Sequence, residues 1–137
     1  MIVPDDPAPA APPLTKGRVL VVDDEELMRG AVTRALTRAG YEITTACDGA
    51  QALEVLATTP TRFDVVLLDL SMPVLGGAAC FRAARERDPT LRVVLMSAHA
   101  DAATVKPLLD AGARGLLPKP FAVPALVAAI ERALADV

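Results

Sequence analysis

The sequence predicts a doubly wound α/β fold, in which a parallel five-stranded sheet carries helices on both faces. Three observations predict it. Short continuous apolar runs rich in Val and Leu recur along the chain, as strands buried on both faces require. Between them lie segments whose apolar residues fall at helical spacing. The composition is 53% hydrophobic but only 3% aromatic, so the core must be built from Val, Leu, Ile and Ala. A chain of 137 residues suits one such domain.

Residues 1–16 form their own compositional zone, with Pro4, Pro7, Pro9, Pro12 and Pro13 set among Ala and Asp. Proline fixes φ and lacks an N–H, so this zone reads as an extended tail or linker. The domain is expected over residues 17–135. Arg18 to Val22 is the first strand, ended by the acidic run Asp23-Asp24-Glu25-Glu26. A helix follows on Leu27, Met28, Ala31, Val32, Ala35, Leu36 and Ala39, with acids in its first turn, where the helix dipole favours them, and Gly40 as its stop. Glu42 to Ala46 is the second strand. Asp48 then caps a helix carrying Ala52, Leu53, Val55 and Leu56.

Val65 to Leu68 is a third strand ending at Asp69, and a loop leads to a helix from Gly76 to Asp88, stopped by Pro89. Arg92 to Met96 is a fourth strand ending at Ser97. The fourth helix, near Ala102 to Ala111, contains Pro107, which should kink or shorten it. Gly115 to Leu117 is a brief fifth strand. Pro124 to Ala135 is an amphipathic final helix that tolerates Pro124 in its first turn.

Several function classes are disfavoured. The formal net charge is −3 with no basic block, which argues against nucleic-acid binding by this chain. Cys47 and Cys80 are too few and too far apart for a metal knuckle or a disulfide framework, and read as reduced residues of a cytoplasmic protein. No apolar run approaches the roughly 20 residues that span a bilayer, and the first residues lack the order of a signal peptide. No glycine fingerprint of a dinucleotide site follows the first strand.

In open parallel sheets, ligands bind beyond the carboxyl ends of the strands. Those ends carry Asp23 and Asp24 (first strand), Asp69 (third), Ser97 (fourth) and Lys119 (fifth). Each alone has a plain structural reading, as a helix cap, a turn former or a surface residue. Together they are hard to explain as caps. Three carboxylates brought close must share a proton or surround a cation. An all-oxygen set of this kind suits Mg2+, and no Cys or His pair suggests zinc. Phosphoryl transfer needs a nucleophile and neutralised oxygens. Asp69 can be the nucleophile, with Lys119 and Mg2+ neutralising charge and the Ser97 hydroxyl donating to the transferred group.

Four motifs carry a resemblance: Val19-Leu20-Val21-Val22-Asp23-Asp24-Glu25, Leu67-Leu68-Asp69-Leu70-Ser71-Met72-Pro73, Leu95-Met96-Ser97-Ala98 and Lys119-Pro120-Phe121. In this order and spacing the chain resembles the receiver domain of two-component response regulators, from about Gly17 to Ala135. The resemblance implies a flavodoxin-like (βα)5 fold with strand order 2-1-3-4-5. It implies Asp69 as phosphoacceptor, Asp24 as a direct Mg2+ ligand, Asp23 as a ligand through water, and the Ser71 carbonyl as a further ligand. Ser97 would be the switch hydroxyl and Lys119 the partner of Asp69 or its phosphate, with a cis Lys119–Pro120 bond. The donor would be a histidine kinase or a histidine phosphotransfer protein. A downstream effector would be met at the face formed by helix four, strand five and helix five.

One departure bears on that face. The family often has an aromatic residue three places before the lysine, and here that place holds Leu116. A phosphorylation-independent interaction module on the same fold is therefore the main alternative. A dehalogenase-like phosphatase is a poorer one, since that class wants a second Asp two places after the nucleophile, where this chain has Ser71. As an isolated chain the domain is not expected to be an enzyme beyond accepting, and slowly losing, its own phosphoryl group. With no output domain after Val137, it is expected to be a stand-alone regulator or a fragment, the proline-rich start resembling linkers of hybrid kinases. His99 reads as an exposed loop residue near the site. Gly76-Gly77 either binds phosphate at a helix start or allows the turn. Phe121 reads as core packing.

Overall fold

A computed structural model describes residues 15–60, 62–72, 76–99 and 102–135. The expected tail therefore lies outside the described residues, apart from its last two. The elements run β1 (Arg18–Val22), α1 (Glu26–Arg38), β2 (Glu42–Ala46), α2 (Gly49–Thr58), β3 (Val65–Asp69), α3 (Gly77–Arg87), β4 (Val93–Ser97), α4 (Ala102–Asp110), β5 (Gly115–Pro118) and α5 (Val123–Ala135). The strands form one parallel sheet in the order β2-β1-β3-β4-β5. Strand order and element types agree with the sequence reading, and helix ends differ from it by a residue or so.

The apolar runs of β1, β3 and β4 are explained by burial on both faces. Leu20, Val22, Val66, Leu68, Val93 and Leu95 point into one core, closed by α2, α3 and α4 through Ala52, Phe81 and Leu108. Val19, Val21, Val65, Leu67, Val94 and Met96 point into the other, closed by α1 and α5 through Leu36 and Ile130. β2 lies at the sheet edge, which is why Glu42 and Thr45 are exposed on it.

Turn chemistry ends α1 at the glycine the sequence marks, and ends α4 in the same way at a glycine the sequence reading did not single out. After α1, Gly40 adopts φ +105°, the Tyr41 N–H donates to the Leu36 carbonyl at 3.0 Å, and the Gly40 N–H donates to the Thr37 carbonyl at 3.1 Å. After α4, Gly112 at φ +113° repeats the pattern, with the Ala113 N–H donating to Leu108 and the Gly112 N–H to Leu109. Only glycine takes this left-handed stop without strain. At the start of α2, Asp48 Oδ1 accepts from the Gln51 N–H at 2.8 Å, and the Gln51 side chain accepts in turn from the Cys47 N–H. Pro107 stays inside α4 without ending it, and α4 spans only nine residues. No described helix is long and apolar enough to cross a membrane.

Candidate functional site

β1 and β3 lie side by side, with Val22 opposite Leu68. The residue after Val22 is Asp23, and the residue after Leu68 is Asp69, so the register alone sets these carboxylates next to each other. β2 lies on the other side of β1, so the chain's winding reverses between β1 and β3, which opens a crevice at the ends of those two strands. β4 pairs with β5 through Ser97 and Pro118, and the Lys119 N–H donates to the Ser97 carbonyl at 2.8 Å. That anchors the lysine two strands from Asp69, with the end of β4 between them. The Lys119–Pro120 bond is cis, as the resemblance implied.

The side chains converge. Lys119 Nζ donates to Asp23 Oδ2 at 2.9 Å and to Asp69 Oδ2 at 3.2 Å, and lies 3.5 Å from Glu25 Oε1. Asp23 Oδ1 accepts from the Glu25 N–H at 2.9 Å, and Asp69 Oδ1 accepts from the Ser71 N–H at 3.0 Å. Each buried carboxylate thus has one oxygen held by main chain and the other by the lysine. Arg29, one turn into α1, donates to the Asp23 carbonyl oxygen at 2.8 Å and so ties α1 to the strand end. Asp23 and Asp69 are buried and Asp24 is exposed, and one carboxylate oxygen from each lies within 4.8 Å of the others.

Electrostatics follow from this crowding. Burial pushes the Asp69 carboxyl above the usual carboxylate range, and the Asp23 charge adds to that. The Ser71 N–H and the Lys119 ammonium pull against it. Burial alone would lower the Lys119 ammonium, but hydrogen bonds and charge from Asp23 and Asp69 outweigh it, so the lysine is held above its ordinary value and stays charged. Three carboxyl groups, those of Asp23, Asp24 and Asp69, thus gather at the strand ends beside the Lys119 ammonium, with the Arg29 guanidinium held on the Asp23 carbonyl. The donors are oxygens throughout, and the exposed Asp24 faces the solvent side. A hard divalent ion that keeps several waters, Mg2+, fits this set.

Ser97 is buried at the end of β4. Its hydroxyl donates to the His99 carbonyl at 2.8 Å and accepts from the His99 N–H at 3.0 Å, so it is engaged with its own loop rather than with Asp69 or Lys119. His99 is exposed. Leu116 is half-buried against the core on the α2–α3–α4 side. Glu25 and Arg29 are the residues that sequence reasoning did not single out. A signal for Glu25 lay in its place beside the acidic pair, but nothing in the sequence pairs it with Lys119.

A family model described as "Response regulator receiver domain" matches residues 19–131. The chain belongs to this family. Among relatives of the receiver family, the chain is 41% identical over 122 residues to the DNA-binding transcriptional regulator NtrC of Escherichia coli K12, covering 88% of this chain and 25% of NtrC. It is 39% identical over 121 residues to the transcriptional regulatory protein PrrA of Mycobacterium tuberculosis, covering 88% of this chain and 51% of PrrA. The chain thus spans about a quarter to a half of these curated relatives. Among solved structures, the chemotaxis protein CheY4 of Vibrio cholerae superposes with a TM-score of 0.79 at 33% identity, covering 85% of this chain and 98% of CheY4. The chain is a receiver domain with a phosphoacceptor role, and the acidic cluster has the composition such domains use for Mg2+.

Proposed function

We propose that Asp69 accepts a phosphoryl group from a phosphohistidine, with Asp23, Asp24, Asp69 and the Ser71 carbonyl forming the protein side of a Mg2+ site. The observation that carries this reading is the single ammonium of Lys119 shared by Asp23 and Asp69, with Asp24 beside them. An Asp69 carboxylate oxygen attacks phosphorus, the P–N bond of the donor breaks, and the imidazole leaves with the bonding pair. When bound, Mg2+ supplies charge neutralisation for the phosphoryl oxygens. Lys119 supplies the rest, exchanging its contact with Asp69 for one with a phosphoryl oxygen. The Ser71 N–H holds Asp69 in place meanwhile. Ser97 is the switch residue: its hydroxyl gives up the His99 main chain for the phosphoryl group and draws its loop inward.

The donor is a histidine kinase or a histidine phosphotransfer protein in the cytoplasm. The effector surface is the face built by α4, β5 and α5. NtrC and PrrA are named as transcriptional regulators, which supports a signalling output without assigning one to this chain. The domain itself spans residues 17–135, following a tail of residues 1–16. Leu116, at a position where the family often has an aromatic residue, favours a second reading, an interaction module that works without phosphorylation.

Incubating the chain with acetyl phosphate, with and without Mg2+, tests both. The proposal expects a mass gain of one phosphoryl group that needs Mg2+ and is absent from Asp69→Asn. Full-rate labelling of that variant would remove Asp69 from its role, and no labelling of the wild type would favour the second reading.

A further inference from the structure

Glu25 stands where a helix cap stands, yet it does not cap. It is the N-cap residue of α1, with φ −90° and ψ 115°, and its side chain takes no hydrogen bond from the first turn. Short polar side chains at this position usually accept a free N–H of that turn, and a negative charge is favoured there. Instead, the Glu25 carboxylate reaches across to the fifth strand's end, where Oε1 lies 3.5 Å from Lys119 Nζ.

The contacts close a ring. The Glu25 N–H donates to Asp23 Oδ1 at 2.9 Å, Asp23 Oδ2 accepts from Lys119 at 2.9 Å, and Lys119 returns to the Glu25 side chain. The ring spans inside to outside: the Asp23 side chain is 0% exposed, that of Lys119 9%, and that of Glu25 65%. An ammonium has three donors and no acceptor. Two of those donors are taken by Asp23 and Asp69, and the Glu25 carboxylate stands beside them at ion-pair distance, 3.5 Å. Remove it, and that attraction is lost from a long side chain with much rotamer freedom to regain.

We propose that Glu25 is a positioning residue for phosphoryl transfer, whose carboxylate tethers the Lys119 ammonium over Asp69 before the phosphoryl group arrives. The proposal rests on the reading of Asp69 as phosphoacceptor. Glu25 acts through Lys119 and touches no reacting atom. Once Asp69 is phosphorylated, Lys119 keeps Asp23 and Glu25 as anchors and turns its remaining donor to a phosphoryl oxygen. A carboxylate at the mouth of the site that only repelled an anionic donor would act in the opposite direction, and this separates the two effects experimentally.

The test compares wild type with Glu25→Gln as the full chain. One measurement is the rate of acyl phosphate formation from acetyl phosphate at saturating Mg2+. The other is the 15N ammonium resonance of Lys119 in the metal-free protein. The rate is expected to fall about two- to fivefold, the scale of one partly exposed ion pair. The thermal midpoint is expected to hold, and the Lys119 resonance to broaden in the variant. A rate equal to or above wild type overturns the tether, as does an unchanged resonance. If the wild type takes up no phosphoryl group, the phosphoacceptor reading fails, and the metal-free resonance still decides for or against the tether.

Discussion

Replacing Gly77 with Ala is a severe test of how the site is framed. A Cβ built there lies 2.5 Å from the Asp69 carbonyl oxygen and 2.5 Å from Leu70 Cα. Ordinary contact begins near 3.4 Å, so about 0.9 Å must be found. Both neighbours are backbone atoms at the end of β3 and cannot swing aside. α3 cannot withdraw freely either, because Cys80, Phe81 and Ala84 on the same helix are buried in the core. Overpacking of this kind costs about 1–3 kcal/mol. Alanine's better helix propensity offsets up to about 1 kcal/mol of that. The net loss is about 1.5 kcal/mol at mid-range, and with a urea dependence of about 2 kcal/mol per molar the midpoint falls by about 0.7 M. The displaced strand end carries the Asp69 and Ser71 groups, so the proposed Mg2+ binding is expected to weaken in parallel. Gly76→Ala is the internal control, since its Cβ meets nothing within 4 Å. That variant is expected to stay within about 0.5 kcal/mol of wild type. Urea melts followed by circular dichroism, with a Mg2+ titration of each folded protein, give the comparison. Equal midpoints for the two variants would refute the close-approach argument.

Two further outcomes follow from the same geometry. Asp24→Ala is expected to leave the urea midpoint within about 0.5 kcal/mol, because the side chain is exposed. Its Mg2+ affinity should fall by at least the roughly tenfold that loss of a mere outer-sphere partner costs, and calorimetric titration at constant ionic strength checks this. The two thiols should also separate: Cys47 is exposed, whereas burial, with the Asp48 charge adding to it, pushes the Cys80 thiol up to about 11. At pH 8 a thiol reagent should modify Cys47 rapidly and reach Cys80 only on unfolding. Equal rates in native protein would contradict the packing of α3 against α2.

Much of the fold is legible in the sequence because burial on both faces leaves a one-dimensional trace. Val19 to Val22 and Val65 to Leu68 alternate between the two cores residue by residue, yet both cores are apolar, so the strands read as unbroken runs. Gly40 and Asp48 are legible for a local reason, since each does its work within a few residues of its own position. The acidic site is legible because strand ends are predictable and ligands gather there.

What escapes the sequence is contact between distant side chains. Lys119 is 94 residues from Glu25 in numbering, and nothing local tells that the glutamate turns away from its own helix toward the lysine. The Ser97 hydroxyl is another case. Its residue type marks a possible donor to phosphate, but its partner in this state is the His99 main chain two residues on. Gly77 escapes for a third reason: a close backbone approach is a property of two elements, and an adjacent glycine, Gly76, looks identical in the sequence while sitting in open space.

The central claim concerns which carboxylate receives the phosphoryl group, and chemical trapping addresses it directly. The protein is incubated with acetyl phosphate and Mg2+, then reduced with borohydride, which converts an acyl phosphate carbonyl to an alcohol, and its peptides are weighed. Conversion confined to residue 69, and lost when Mg2+ is chelated, is the predicted result. Conversion at Asp23 or Asp24 in its place, or at residue 69 irrespective of Mg2+, would contradict the account.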